Sequence, residues 1–317
     1  MRALIYGGGA VGLGLASCLL KSQVSVDIIA REGTVSALQR NGLVRTGIFG
    51  DFHAGASAFG SYSLLTALPP GTYAYILVCT KSFDSLNAAK DLSEHKSLLA
   101  DRTKIVLFQN GWGNADAFLG FFEKERIYNA RVITGFQRLK PNEVDVTVHA
   151  DAIHIGSLFG AHGAAVNDLA GTIGKGGIPC QVTKDIGKDI WAKMLYNCAL
   201  NPLGAILDVP YGTLAAHEFT RAVMNGIVEE TFDVMSRAGY ETHWQCAEDF
   251  LDVFYGQLVP DTAEHKSSTL QDIIAGKPTE IDALNGAVIQ LAGKFSLSVP
   301  YNCVVHNLVK FIEAKNR

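Results

Sequence analysis

Ala3-Leu4-Ile5-Tyr6-Gly7-Gly8-Gly9-Ala10-Val11-Gly12 begins as a short apolar run, breaks into glycines and continues into a helix-compatible stretch, Val11 to Leu20. Val24-Ser25-Val26-Asp27-Ile28-Ile29 follows, so strand, turn, helix and strand succeed one another in about 30 residues, the size of one βαβ unit. A G-x-G-x-x-G string is common by chance, but this one leaves a strand and opens a helix, the context in which it binds dinucleotides. Gly7 permits the tight turn, Gly9 lets the backbone approach a pyrophosphate, and Gly12 allows helix and strand to pack closely. Gly8, Ala10 and Val11 complete the cradle, whose free N–H groups lie at the positive end of the helix.

Further buried-strand candidates are Tyr75-Ile76-Leu77-Val78-Cys79 and Lys104-Ile105-Val106-Leu107-Phe108, each followed by a potential helix. Continuous apolar strands alternating with helices indicate a parallel, doubly wound sheet. From Arg131 to Ile155 the pattern alternates, as in Val144-Asp145-Val146-Thr147-Val148, with Pro141-Asn142 as a turn, and is read as antiparallel strands finishing that sheet. After Lys184 no convincing strand remains, and helical stretches are punctuated by Pro210-Tyr211-Gly212, Gly239, Pro260, Gly276-Lys277-Pro278 and Val299-Pro300. The expected fold class is α/β: an N-terminal Rossmann-type doubly wound sheet over residues 1–182 and an all-α C-terminal domain over residues 183–317.

The composition suits two cores, with 48% hydrophobic and 18% charged residues among 317. The net charge of −4 comes with scattered lysines and arginines, which argues against nucleic acid or anionic lipid and for a small-molecule partner. Cys18, Cys79, Cys180, Cys198, Cys246 and Cys303 are far apart and are read as free thiols in a reducing compartment, and the nine histidines show no metal-binding pair. With no signal-peptide pattern and no membrane-length apolar stretch, a cytoplasmic location is expected. Long apolar helical stretches such as Ala283 to Ala292 allow for a homodimer.

Polar groups gather where open α/β sheets bind ligands, at the strand ends. The second strand ends Ile29-Ala30-Arg31 instead of in the carboxylate that accepts from an NAD ribose, and a guanidinium there suits a 2′-phosphate, so NADP(H) is the expected cofactor. Lys81 is suited to cofactor phosphate, and Asn110, held by a turn with Gly111, to nicotinamide ribose or substrate.

Downstream, Lys193, Asn197 and Asn201 recur at i, i+4 and i+8 in an otherwise mostly apolar stretch, Ile190 to Pro202. That spacing drifts only about 40° per step, so the three form one stripe on a helix buried on nearly every side. A lysine so placed loses hydration, which lowers its pKa toward the working range of a general acid. Pro202 is expected to end or kink this helix beside Asn201. A third cluster, Ser267-Ser268-Thr269-Leu270-Gln271-Asp272 and then Thr279-Glu280-Ile281-Asp282, reads by itself as helix capping, with Glu280 in a first turn.

Taken together these motifs resemble the ketopantoate reductase family over essentially the whole chain: G-G-G-A-V-G at 7–12, Arg31, Lys81, Q-N-G at 109–111, W-x-K-x-x-x-N-x-x-x-N-P at 191–202, S-S-x-x-Q-D at 267–272 and T-E-I-D-x-x-N-G at 279–286. The resemblance implies reduction of ketopantoate to pantoate with NADPH, on the way to coenzyme A. It implies that Lys193 is the general acid, that Asn197, Asn201 and Ser268 hold the substrate's carboxylate and hydroxyl, and that Asn110 touches both cofactor and substrate. It further implies that Glu280 binds where substrate meets nicotinamide, and that Arg31 and Lys81 hold the adenosine-side phosphates. The sequence departs from the family pattern at Ser82-Phe83-Asp84 and at the bulkier Phe136-Gln137-Arg138. The second departure motivates an alternative 2-oxo acid as substrate, and a noncatalytic NADP-sensing protein is the reading from another functional class.

Overall fold

The computed structural model describes residues 1–315. They form two compact units: residues Met1–Gln109 with Asn114–Ile186, and the short segment Asn110–Gly113 with the chain from Gly187 onward. The sequence boundary at 182/183 precedes this division by four residues, and nothing in the sequence separates Asn110–Gly113 from its neighbours.

The first unit contains an eight-stranded sheet and a four-stranded one. The strands are β1 (Arg2–Tyr6), β2 (Ser25–Ile29), β3 (Leu43–Gly47), β4 (Phe52–Ala54), β5 (Gly60–Tyr62), β6 (Tyr73–Val78), β7 (Leu99–Leu107), β8 (Ile127–Arg131), β9 (Thr134–Lys140), β10 (Glu143–His149), β11 (Ile153–Gly156) and β12 (Cys180–Val182). The larger sheet runs β12-β11-β8-β7-β6-β1-β2-β5 and is parallel except where β11 pairs with β8. Its order reverses between β1 and β6, and a crevice forms at the carboxyl ends of strands at such a switch point. The apolar runs that end in Tyr6 and Val78 therefore deliver the glycine turn and Thr80-Lys81 side by side.

Helices α1 (Ala10–Lys21), α2 (Glu32–Asn41), α3 (Ser85–Glu94), α4 (Asn114–Leu119) and α5 (Asn167–Lys175) accompany these strands. Residues Gly12 through Leu19 of α1 are all buried, because the second sheet covers the side of α1 that the first does not. This second sheet corrects the expectation for residues 131–155. The alternating segment does form an antiparallel hairpin, β9–β10, but it joins β3 and β4 in the order β4-β3-β10-β9 instead of finishing the large sheet. Val144 and Val146 face inward, as the alternation requires, against α1. The bulk of Phe136 has a structural use here: a Cβ at Gly14 would lie 2.3 Å from its ring, so glycine and phenylalanine fit each other across α1 and β9.

The second unit is helical among its described residues: α6 (Ile186–Leu207, its first residue in the other unit), α7 (Tyr211–Ala216), α8 (Glu218–Arg237), α9 (Ala247–Val253), α10 (Ser268–Ile274), α11 (Asn285–Lys294) and α12 (Pro300–Lys315). No residue of α6 from Ile186 to Ile206 is exposed, which accounts for its mostly apolar circumference. Pro202 does not end the helix, which continues to Leu207. A proline at 202 withdraws the N–H that would bond the carbonyl of Cys198. The amide of the buried Asn285 donates to that oxygen instead, at 3.1 Å, and keeps it satisfied. No described helix is long and apolar enough to cross a membrane, and all six cysteines are free thiols.

Candidate active site

In the first unit the glycines are fixed by what surrounds them. Gly7 has φ +118°, and a Cβ there would lie 2.7 Å from the Thr80 nitrogen. At Gly12 a Cβ would meet the Gly7 carbonyl oxygen at 2.0 Å, so this position tolerates no side chain. Gly9 differs: its nearest neighbour to an added Cβ is 4.0 Å away, so the space above it is open. Gly9 is also the N-cap of α1, provides no side-chain cap, and the first turn carries no acidic residue. Uncapped N–H groups facing open space, with no competing carboxylate, fit the pyrophosphate of a dinucleotide.

Arg31 follows β2 as the exposed N-cap of α2, and its guanidinium makes no hydrogen bond or ion pair among the described residues. Lys81 follows β6 in a turn fastened by Gln109. The Gln109 amide, nearly buried, donates to the hydroxyls of Ser85 (2.9 Å) and Thr80 (3.3 Å) and to the Lys81 carbonyl (3.2 Å). Sequence reasoning assigned Gln109 no role. Its place at a strand end marked it, but its contacts lie 24 to 29 residues back along the chain.

The second unit gathers a different set of residues. Lys193, half-buried on α6, donates from Nζ to Oδ1 of Asn110 at 2.5 Å, and Asn110 donates from Nδ2 to Oε2 of Glu280 at 3.4 Å. An ammonium only donates and a carboxylate only accepts, so these partners fix which way the Asn110 amide points. The segment bearing Asn110 is held to the same unit by backbone and by rings. Gly111 has φ +87° and approaches Ala283 so closely that a Cβ would lie 2.3 Å from its carbonyl oxygen, and Trp112 N–H donates to that oxygen at 2.9 Å. The Trp112 ring lies 4.8 Å from Trp191 and 4.6 Å from Tyr240.

Glu280 is buried and its side chain caps no helix. It precedes a single 3₁₀ turn, Ile281–Ala283, which corrects the reading of Glu280 as a first-turn capping residue. Its neighbour Thr279 is tied by backbone N–H and hydroxyl to Glu313 of α12, at 2.7 and 2.6 Å. Asp282 pairs with His306 and Lys310, whose hydrogen bonds and charge outweigh burial and lower its pKa to about 2.

Asn197 and Asn201 lie one and two turns beyond Lys193, and both are buried. The amide of Asn197 has no hydrogen-bond partner among the described residues. Asn201 accepts at Oδ1 from the phenol of Tyr211, at 2.6 Å, which leaves its Nδ2 as a donor. Burial, and secondarily the neighbouring Tyr196, raise the Tyr211 pKa well above the usual phenol range, so this donor keeps its proton. Tyr211 was legible only as part of the break at Pro210-Tyr211-Gly212. Ser268 is exposed in the first turn of α10, while its buried neighbour Ser267 caps that helix by accepting from Leu270 N–H. No cluster of potential metal ligands occurs among the described residues.

Comparison with known proteins places this geometry among relatives. The family model described as "Ketopantoate reductase PanE/ApbA" matches residues 3–160, and "Ketopantoate reductase PanE/ApbA C terminal" matches residues 185–313. A 2-dehydropantoate 2-reductase of Aquifex aeolicus is 33% identical over 317 residues, covering 100% of this chain and 98% of its own. Among solved structures, a PanE/ApbA family ketopantoate reductase from Ralstonia eutropha superposes with TM-score 0.86 at 30% identity, covering 100% of this chain and 99% of its own. D-mandelate dehydrogenase, solved with NADH and anilino(oxo)acetate, has TM-score 0.88 at 23% identity with the same coverage, a likeness of fold.

Proposed function

Because the chain belongs to the ketopantoate reductase family, we propose that it reduces ketopantoate (2-dehydropantoate) to pantoate with NADPH, a step of pantothenate and coenzyme A synthesis. The observation that carries this reading is the Lys193–Asn110–Glu280 chain: an ammonium on a helix with no exposed residue from Ile186 to Ile206, its hydrogen bond set by an amide that a buried carboxylate orients.

NADPH, when bound, supplies the hydride that adds to the ketone carbon. Gly7 through Gly12 hold its pyrophosphate on the N-terminus of α1, and Arg31 and Lys81 take the adenosine-side phosphates. Lys193 holds a proton at Nζ and gives it to the carbonyl oxygen as negative charge builds there. One of its N–H bonds is committed to Asn110, which helps to fix the direction of the ammonium. Asn197 and the Nδ2 of Asn201 are amide donors suited to the substrate's carboxylate and hydroxyl. Glu280 and Asn110 act where substrate meets nicotinamide, and Ser268 is the outermost substrate contact. Positioning of this kind lowers the barrier by removing the search for a reactive geometry.

The reaction takes place in the cytoplasm, in keeping with six unpaired cysteines. A homodimer would cover the exposed apolar stripe of α12, Tyr301, Val304, Leu308 and Phe311. The deciding experiment is steady-state kinetics on ketopantoate and a panel of other 2-oxo acids, with NADPH and NADH in parallel. The expected result is highest kcat/KM for ketopantoate with NADPH. Preference for another oxo acid overturns the substrate, and NADPH binding without consumption on any oxo acid overturns the enzyme.

A further inference from the structure

We infer that Arg138, on β9 of the second sheet, is a second cation for the cofactor's 2′-phosphate and shares with Arg31 the discrimination of NADPH from NADH. The inference rests on the NADPH reading above and adds to it a residue from an element that belongs to the other sheet.

Arg138 is held over the first turn of α2. Its Nη2 donates to the hydroxyl of Thr34 at 2.5 Å and to the Pro141 carbonyl at 2.8 Å, and its Nε donates to the Lys140 carbonyl at 3.3 Å. Thr34 N–H in turn donates to the carbonyl of Arg31, the N-cap of that helix. The two guanidiniums are thus brought to one helix end by a strand and a cap more than 100 residues apart in sequence. They are close enough that the positive charge of Arg31, after burial, lowers the pKa of Arg138.

Like charges gathered in this way need a reason. Neither guanidinium makes an ion pair with a carboxylate among the described residues, although Glu32 follows Arg31 directly in the chain. The Arg31 side chain has no hydrogen-bond partner among the described residues, and the surroundings of Gly33, on the same turn, are open. Two unneutralised cations, the free N–H groups of a helix start and open space form a site for a dianion. Its position just after β2 is where the adenine ribose lies in a βαβ dinucleotide fold, so the dianion is the 2′-phosphate. Thr34 keeps the Arg138 fork in place, and Phe136, packed on Gly14 two residues earlier, fixes the strand that carries it.

The test is calorimetric titration of wild-type, Arg138→Gln and Arg31→Gln proteins with NADP+, NAD+, adenosine 2′-monophosphate and adenosine 5′-monophosphate, with NADPH and NADH kinetics alongside. Losing one charge-assisted contact is expected to weaken NADP+ and adenosine 2′-monophosphate binding roughly 10- to 100-fold in Arg138→Gln while leaving NAD+ and adenosine 5′-monophosphate within about threefold. Arg138→Lys is expected to recover part of the loss. Unchanged NADP+ affinity in Arg138→Gln, with a loss in Arg31→Gln, overturns the role of Arg138 and leaves the NADPH reading standing. Equal weakening for NADP+ and NAD+ also overturns it, because that pattern reports a disturbed fold. Wild-type protein that does not distinguish NADP+ from NAD+ overturns the NADPH reading itself.

Discussion

From Gly7 to Gly12 the backbone is admitted by missing atoms, whereas around Lys193 the chemistry needs atoms delivered from three stretches of chain, at 110, 193 and 280. The glycine turn is a local device. Its constraints are a positive φ at Gly7, a 2.0 Å approach at Gly12 and open space at Gly9, all within six residues. The Lys193 group is a convergent one, in which each side chain has its orientation set by a partner 83 or 170 residues away. A local device fails when an atom is added, and a convergent one fails when an atom is removed.

The largest expected effect lies on the convergent side. Lys193→Ala is expected to lower kcat by about 10²- to 10⁴-fold, the range of general acid catalysis, with NADPH affinity by fluorescence titration unchanged. On the local side, Gly12→Ala adds a methyl into the Gly7 carbonyl and is expected to cost about 1–3 kcal/mol in urea unfolding, together with loss of NADPH binding. If Gly12→Ala keeps both, the contrast between the two devices is lost.

Tyr211→Phe removes only the hydroxyl that orients Asn201. It is expected to raise KM for ketopantoate about two- to tenfold, the worth of one hydrogen bond, with KM for NADPH unmoved. A change in both constants would make Tyr211 a packing residue. The smallest effect concerns the support of Glu280. Because the pKa of Asp282 is about 2 in the folded chain, below the ordinary 3.8, its hydrogen bond with His306 and its ion pair with Lys310 stabilise the fold above about pH 4. That stabilisation is lost as pH falls from about 4 toward 2. Asp282→Asn is expected to flatten this part of a melting-temperature profile while leaving the remainder of the acid transition.

The same contrast explains what could be read from the sequence. The βαβ start, the parallel sheet and the helical second half follow from periodicity and punctuation, which are properties of neighbours in sequence. The hairpin at 134–149 was legible as a hairpin, but the sheet it joins was not, since its pairing with β3 reaches back about 100 residues. Pro202 misled for a related reason: the rule that proline ends a helix assumes an unsatisfied carbonyl, and here Asn285, 87 residues away, satisfies it. Lys193, Asn197 and Asn201 stood out as a stripe, but Glu280 read alone was only a cap. Tyr211, Gln109 and Arg138 lie in segments the sequence marked, but their contacts carry no local signal, because each acts on a residue or helix end that only the fold brings near.

The central claim is that Lys193 supplies the proton from the position that Asn110 and Glu280 give it. The most direct measurement is ketopantoate-dependent NADPH oxidation by Lys193→Ala with increasing concentrations of a small primary amine. The expected result is negligible turnover without amine and a saturable recovery with it, steeper for amines small enough to enter the space left by the side chain. Turnover within about threefold of wild type in the absence of amine would contradict the claim, because another group would then be donating the proton.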